Sequence, residues 1–535
     1  MGKDFLEFIK SFESKAVDLS RELSLSNFNA TISGKPEDYT KTAELELKLK
    51  KVFANKEDFE KLKKFKESEE ITDEVNQREI EVLFNSYSEF QIDKELLVKT
   101  VALSSKIEQT FSTYRAEVNG KKLTDNEIDK ILEDSTDSDE LEETWKASKQ
   151  IGSKVSEDVI KLVKLRNEAA KNLGYENYHQ MSLTLSELEP EFLDNLFDKL
   201  DELTKPKFVE IKNEIDEYLT KRYRVQKDDL MPWHYQDKFF QQGPSIYELD
   251  LDKYFEDQNI EKLTDDYFSG IGLEIKDMLA KSDLYEKEGK YQHAYCTQID
   301  KEGDVRVLCN IKPNYKWMGT MLHEFGHAVY DKYVSMNLPW VLREHAHIFT
   351  TEAIAMLFGR FASNPNWLQG MLNISDEEKV KILEETFKTL QLEQIIFSRW
   401  VQVIFRFEKA MFENPDQDLN SLWWNLVEKY QGLKKPEGRN EPDWASKIHI
   451  ALYPVYYQNY MLGELLASQL YFYVKEKVLK DNSDETISFI GKKEVGDYLK
   501  NLFFSYGALF KWDKLIKSST GEELNPEYWI RQFVK

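Results

Sequence analysis

Met318-Gly319-Thr320-Met321-Leu322-His323-Glu324-Phe325-Gly326-His327-Ala328-Val329-Tyr330 is the stretch on which the reading of this chain turns. Its apolar residues recur at helical spacing, and His323 and His327, four residues apart, project together from the opposite face. Two imidazoles at i and i+4 have the separation that two neighbouring positions on a zinc ion require. Glu324 leans toward the same place, where it can take a proton from an attacking water and pass it to a leaving amine. Bound there, zinc would polarise the scissile carbonyl and acidify that water.

The residues on either side add to this. A second helix, from about Phe349 to Ala362, offers Glu352, 25 residues after His327, as a lone carboxylate beside an apolar stripe and hence as a third ligand. Upstream, Tyr291 to Asn310 is the only persuasive strand signal, with Glu302-Gly303 as its two-residue turn. Symmetric pairing about that turn sets Cys296 opposite Cys309; two reduced thiols are expected, and a cross-strand disulfide is conceivable in an oxidising compartment.

Further out, Phe5 to about Gln150 is charged and helically periodic, as in Ala43-Glu44-Leu45-Glu46-Leu47-Lys48-Leu49, which suits a layer of amphipathic helices and, in a sharper reading, a lid. The pattern continues from Leu162 to about Tyr223, with Leu173-Gly174-Tyr175 as a helix stop and restart. The aromatic-rich C-terminal third reads as more helices. No Gly/Ser-rich or Pro-rich linker and no internal repeat divides the 535 residues, so the expectation is one domain, 1–535, split into lobes.

With 97 acidic against 73 basic residues, the formal charge of −24 opposes nucleic acid and anionic membranes as partners. Neither a signal peptide nor a run of ~18 uncharged apolar residues is evident, so the sequence as it stands reads as cytoplasmic, or exported if a signal has been removed.

The sequence resembles the angiotensin-converting enzyme family, the peptidyl-dipeptidase A zinc peptidases, and more distantly thimet oligopeptidase and neurolysin. The resemblance runs through nearly the whole chain. It is densest in Leu422-Trp423-Trp424-Asn425-Leu426-Val427-Glu428-Lys429-Tyr430-Gln431-Gly432-Leu433, continues through Gly438-Arg439 and Asp443-Trp444 to Lys447-Ile448-His449-Ile450, and returns in Pro339, Leu342-Arg343-Glu344, Ala346 and Glu352-Ala353-Ile354.

The resemblance implies a mainly α, two-lobed peptidase with a deep central cleft and a small antiparallel β-element near one zinc ion held by His323, His327 and Glu352. It places His293-Ala294 at an edge strand that binds extended peptide, a role that suits strand addition. Lys447 and Gln242 fall at positions that bind the substrate's C-terminal carboxylate, and His449 where a carbonyl is contacted. Tyr457 and Tyr460 have the family's three-residue spacing, displaced by one residue, for the carboxylate and the oxyanion; Tyr453 and Tyr456 share that spacing, so Tyr456 stays a candidate.

Two departures stand out. The family has an acid supporting a ligand histidine four residues after the zinc-binding glutamate, where this chain has Met356, so another acceptor must serve. An arginine that helps to bind activating chloride is Asn459 here, which removes the ground for expecting chloride activation. The function implied is release of dipeptides from short, unfolded peptides with a free C-terminus. The alternatives are an endo-acting oligopeptidase of the thimet type and a catalytically inactive binding or scaffold homologue.

Overall fold

The computed structural model describes residues 2–483 and 485–535. Among these residues there are 21 α-helices and two two-stranded antiparallel sheets, so the expected mainly α architecture with a small β-element is the one adopted. None of the helices is long and apolar enough to cross a membrane. The chain gathers into two compact units.

The first unit comprises Met1–Gln91, Leu249–Thr386 and Leu462–Trp529. Phe5, Phe8 and Phe12 recur along one face of helix Gly2–Ser33 and enter a buried cluster with Phe59, Leu62, Phe65, Tyr87 and Leu342. Burying a phenylalanine contributes about 1.5–3 kcal/mol, so this cluster fastens the N-terminal helices to the rest of the unit.

Helix Tyr315–Tyr333 carries the paired histidines and starts where the Asn314 side chain accepts the Trp317 amide. Helix Ile348–Gly359 carries Glu352 and starts at His347, whose Nδ1 accepts the Phe349 amide at 3.2 Å. It ends three residues before the expected Ala362, the chain tightening into a 3-10 turn over Arg360–Ser363. The two helices meet closely at Gly326, where a Cβ would lie 2.8 Å from Ala355 Cα and 3.1 Å from its nitrogen. Only glycine permits that approach without moving backbone.

Strands Tyr295–Gln298 and Val305–Leu308 pair antiparallel with Cys296 opposite Val307. The expected register, with Cys296 facing Cys309, is therefore corrected by two residues. The physical reason lies in the turn: Asp300 Oδ1 accepts the amides of Glu302 and Asp304, and the Ile299 amide donates to the Asp304 carbonyl at 2.8 Å, which closes a four-residue loop instead of a two-residue one. Both thiols are free. Lys290, buried to 3 % exposure, donates to Asp283 Oδ1, the Tyr285 carbonyl and the Cys309 carbonyl, tying the segment before the first strand to the end of the second.

The second unit comprises Ile92–Glu248, Phe387–Met461 and Ile530–Lys535. Helix Ser138–Asn172 stops at the expected place, Gly174 at φ +91° turns the chain, and the next helix begins at Tyr178. Within the region read as wholly helical, a hairpin pairs Ala116–Val118 with Lys121–Leu123. Asn119 (φ 51°) and Gly120 (φ 75°) form its turn, an Asn-Gly signal that the surrounding charged periodicity masked. The core is aromatic: Trp423 meets Trp400 at 6.0 Å and Phe407 at 5.3 Å, and Phe407 meets Trp444 at 5.5 Å. Arg439 grips Asp443 through both carboxylate oxygens, Nε to Oδ2 at 2.7 Å and Nη2 to Oδ1 at 2.5 Å, and this pair shapes the turn that leads into Lys447.

Candidate metal centre

The first unit brings His323, His327 and Glu352 together, with one donor atom from each lying within 4.8 Å of the others. His323 Nε2 is 3.6 Å from Glu352 Oε1, and His327 Nε2 is 3.5 Å from Glu352 Oε2. A tetrahedral ion with bonds near 2.1 Å separates its ligands by about 3.4 Å, so this donor set fits zinc in chemistry and in spacing. The imidazole rings stand 5.0 Å apart at 82°, both Nε2 atoms facing the same carboxylate. Burial pushes His323 down to about 4; burial and the neighbouring His323 and His345 hold His327 well below the usual imidazole range. Both rings are therefore neutral, with lone pairs available to a metal.

Thr351 supplies a support that the sequence did not reveal. Its Oγ1 is 2.8 Å from His327 Nδ1. With the Nε2 lone pair given to a metal, the proton would lie on Nδ1, which would donate to the hydroxyl and so fix tautomer and ring orientation. Met356, where the family has an acid, offers only a weakly accepting thioether; its Sδ packs near Gly463, where a Cβ would lie 3.2 Å from it and 3.2 Å from Glu352 Cγ.

Glu324, 8 % exposed, is pushed up to about 8 by burial and then by the nearby Glu352 carboxylate, against which the Cys296 backbone amide donates to it. Burial alone raises Glu352 to about 7. A divalent cation at the donor triangle would pull both carboxyls back toward the charged form. The Cys296 amide also fixes the strand Tyr295–Gln298 beside the general-base candidate. That strand pairs only with Val305–Leu308 among the described residues. His293, in a bend, and Ala294 lie just before it and outside the paired segment, with His293 exposed and its ring 5.3 Å from that of Tyr291. Asn310 Nδ2 donates to the Tyr291 and Gln292 carbonyls at 3.1 and 3.2 Å and so directs the chain there.

In the second unit Lys447, His449 and Tyr457 gather. Lys447 Nζ lies 5.5 Å from the Tyr457 ring centre, and the His449 ring 5.1 Å from that of Tyr457. Tyr460 is 5.3 Å from both Tyr457 and Tyr456. Lys447 Nζ donates to Gln241 Oε1 at 2.6 Å, whereas Gln242 is exposed, so the glutamine brought to the lysine is the neighbour of the one expected. The cause is a local turn in which Asp237 Oδ1 accepts the amides of Phe239 and Gln241 and Phe240 takes φ +52°. Burial pushes Lys447 down to about 8 despite Asp237, and burial together with Lys447 pushes His449 down to about 4.

A family model described as angiotensin-converting enzyme matches residues 2–529. Among known proteins, the angiotensin-converting enzyme of Theromyzon tessulatum is 23% identical over 430 residues, 75% of this chain and 69% of its own. That of Haematobia irritans exigua is 25% identical over 443 residues, 74% and 70% of the two chains. Thermostable carboxypeptidase 1 of Pyrococcus furiosus is 22% identical over 404 residues, 69% and 71%.

Proposed function

The chain belongs to the angiotensin-converting enzyme family of peptidases, and on that premise we propose that it is a zinc-dependent peptidyl-dipeptidase acting on short, unfolded peptides with a free C-terminus. The observation that carries the reading is the triangle of His323, His327 and Glu352 with the buried Glu324 carboxyl beside it. These three residues would hold the zinc ion, which when bound would supply Lewis-acid polarisation of the scissile carbonyl.

The protein's own groups do the rest. Glu324 takes the proton of the attacking water and returns it to the leaving amine, a role for which a buried carboxylate beside the donor triangle, kept charged by the cation there, is suited. The strand Tyr295–Gln298 offers to an extended substrate the edge that no strand pairs among the described residues, apart from the Cys296 amide that Glu324 accepts, and strand addition satisfies the substrate's amides. His293 and Ala294 continue that edge toward the substrate. Lys447 and Gln241 bind the terminal carboxylate, with Tyr457 or Tyr456 beside them, and His449 donates to a substrate carbonyl. The Tyr460 hydroxyl stabilises the developing oxyanion, a device worth about 2.7–4 kcal/mol where it has been measured by removal.

Mass spectrometry of the products from one unblocked decapeptide and its C-terminal amide tests this, using zinc-supplemented protein and its Glu324→Gln variant. Successive dipeptide loss from the free acid alone, abolished by Glu324→Gln, is the expected result. Internal cuts in both peptides would instead assign an endo-acting oligopeptidase, and no cleavage of either would assign a binding protein.

A further inference from the structure

Between helix Ile448–Leu452 and helix Gln458–Tyr473 the chain turns through Val455, whose φ is +62°. A β-branched residue in the left-handed region costs on the order of 1–3 kcal/mol and persists only where its surroundings over-determine it. Both sides of Val455 are held. Its N–H donates to Glu408 Oε2 at 3.2 Å, and its carbonyl accepts from Gln458 Nε2 at 2.7 Å. Glu408 and Gln458 are each 1 % exposed. Burial pushes the Glu408 carboxyl up to about 8, against the Val455 amide and the nearby Arg166, which itself donates to the Leu452 carbonyl at 3.2 Å.

This arrangement is costly. Glu408 Oε1 is buried with no hydrogen-bond partner among the described residues, so half of the carboxyl group is desolvated without return. Glycine at position 455 would make the same turn without strain and without a buried acid to enforce it. What the enforced turn sets is the start of the next helix. There Tyr457 meets His449 at 5.1 Å and Lys447 at 5.5 Å, and Tyr460 meets Tyr457 at 5.3 Å.

We propose that Glu408 is a positioning residue: it holds Val455 in the left-handed region, with Gln458 on the other side, and thereby sets Tyr457 and Tyr460 against Lys447 and His449. Its kinetic consequence rests on the reading of that cluster as the site for the substrate's C-terminal end. A role in stability alone predicts that activity and stability fall together. A positioning role predicts that they part, because removing a half-satisfied buried acid relieves a cost while freeing the turn.

The test uses the full chain with Glu408→Leu, Glu408→Gln and Glu408→Leu combined with Val455→Gly. In Glu408→Leu, KM for the free-acid peptide rises by about tenfold or more, KM for the amide changes less, and the thermal midpoint holds or rises. Amide hydrogen exchange speeds up in residues 453–461 and nowhere else. Glu408→Gln, which keeps an acceptor oxygen, stays near wild type, and adding Val455→Gly to Glu408→Leu restores KM to within about threefold. The proposal is overturned if Glu408→Leu matches wild type in KM and exchange, or if its loss follows a lowered midpoint and Val455→Gly fails to restore it. Should wild type release no dipeptide, the reading of the cluster fails by itself. The exchange pattern then decides whether Glu408 holds the turn: faster exchange in 453–461 supports it, and an unchanged pattern overturns it.

Discussion

Thr351 Oγ1 stands 2.8 Å from His327 Nδ1, one residue before Glu352 on the same helix. One turn of backbone thus presents both a metal-ligand candidate and the support for another. Thr351→Val keeps the shape of the side chain and removes the acceptor. It is expected to weaken zinc binding by roughly 10–100-fold, the usual cost of losing a partner that orients a ligand. Thr351→Ser should retain most of the affinity. Competition with a fluorescent chelator measures both, and equal affinity in wild type and Thr351→Val would show that the hydroxyl does not orient the ring.

Gly326 is where the histidine helix touches the Glu352 helix. In Gly326→Ala the new methyl meets Ala355 backbone atoms rather than a flexible side chain, so the helices must separate. The expected cost is about 1–3 kcal/mol in overpacking, and the donor triangle widens with it. Zinc affinity should therefore fall further than the thermal midpoint of the metal-free protein suggests. A variant that binds zinc as wild type does would place the triangle's geometry outside the control of this contact.

Arg360, just beyond the Glu352 helix, pairs with Glu464, next to Gly463 that backs Glu352. Both side chains are about nine-tenths buried. Glu464→Leu leaves the guanidinium without its carboxylate, which costs about 3–5 kcal/mol. Thermal unfolding of the metal-free protein reads this as a clear drop in midpoint, and an unchanged midpoint would mean that Arg360 finds a replacement acceptor.

Lys447 gives the proposed carboxylate site a pH signature. Burial lowers the ammonium from its ordinary value to about 8, so it is charged below that pH and loses its proton above it. Only the charged form attracts a carboxylate. KM for a free-acid peptide should be flat below pH 8 and rise about tenfold per pH unit above it, while kcat at saturation changes little because the bound carboxylate restores the charge. The amidated peptide and Lys447→Met should both lack this rise. A parallel rise with the amide would assign the titration to another group.

The residues of the donor triangle were legible in the sequence because a helix converts spacing into direction: His323 and His327 four apart, Glu352 on a second periodic segment. Supports that depend on side chains meeting across the fold were not. Nothing in spacing distinguishes Thr351 from any other helix residue, and the meeting of Gln241 with Lys447 depends on a turn closed by Asp237. The register of Cys296 was missed because an aspartate at position 300 captured two amides and lengthened the loop. The Asn119-Gly120 hairpin was missed despite its turn signal, since the alternation of Ala116-Glu117-Val118 spans only three residues and does not stand out from the charged helical periodicity around it.

Metal content decides whether His323, His327 and Glu352 form a zinc site. Wild type and Glu352→Gln, purified identically, exposed to excess zinc and dialysed against a weak chelator, are to be assayed by inductively coupled plasma mass spectrometry. One zinc per chain is expected in wild type, with a large loss in Glu352→Gln at unchanged helical content. Equal zinc in the two proteins, or none in either, would contradict a metal centre built on His323, His327 and Glu352.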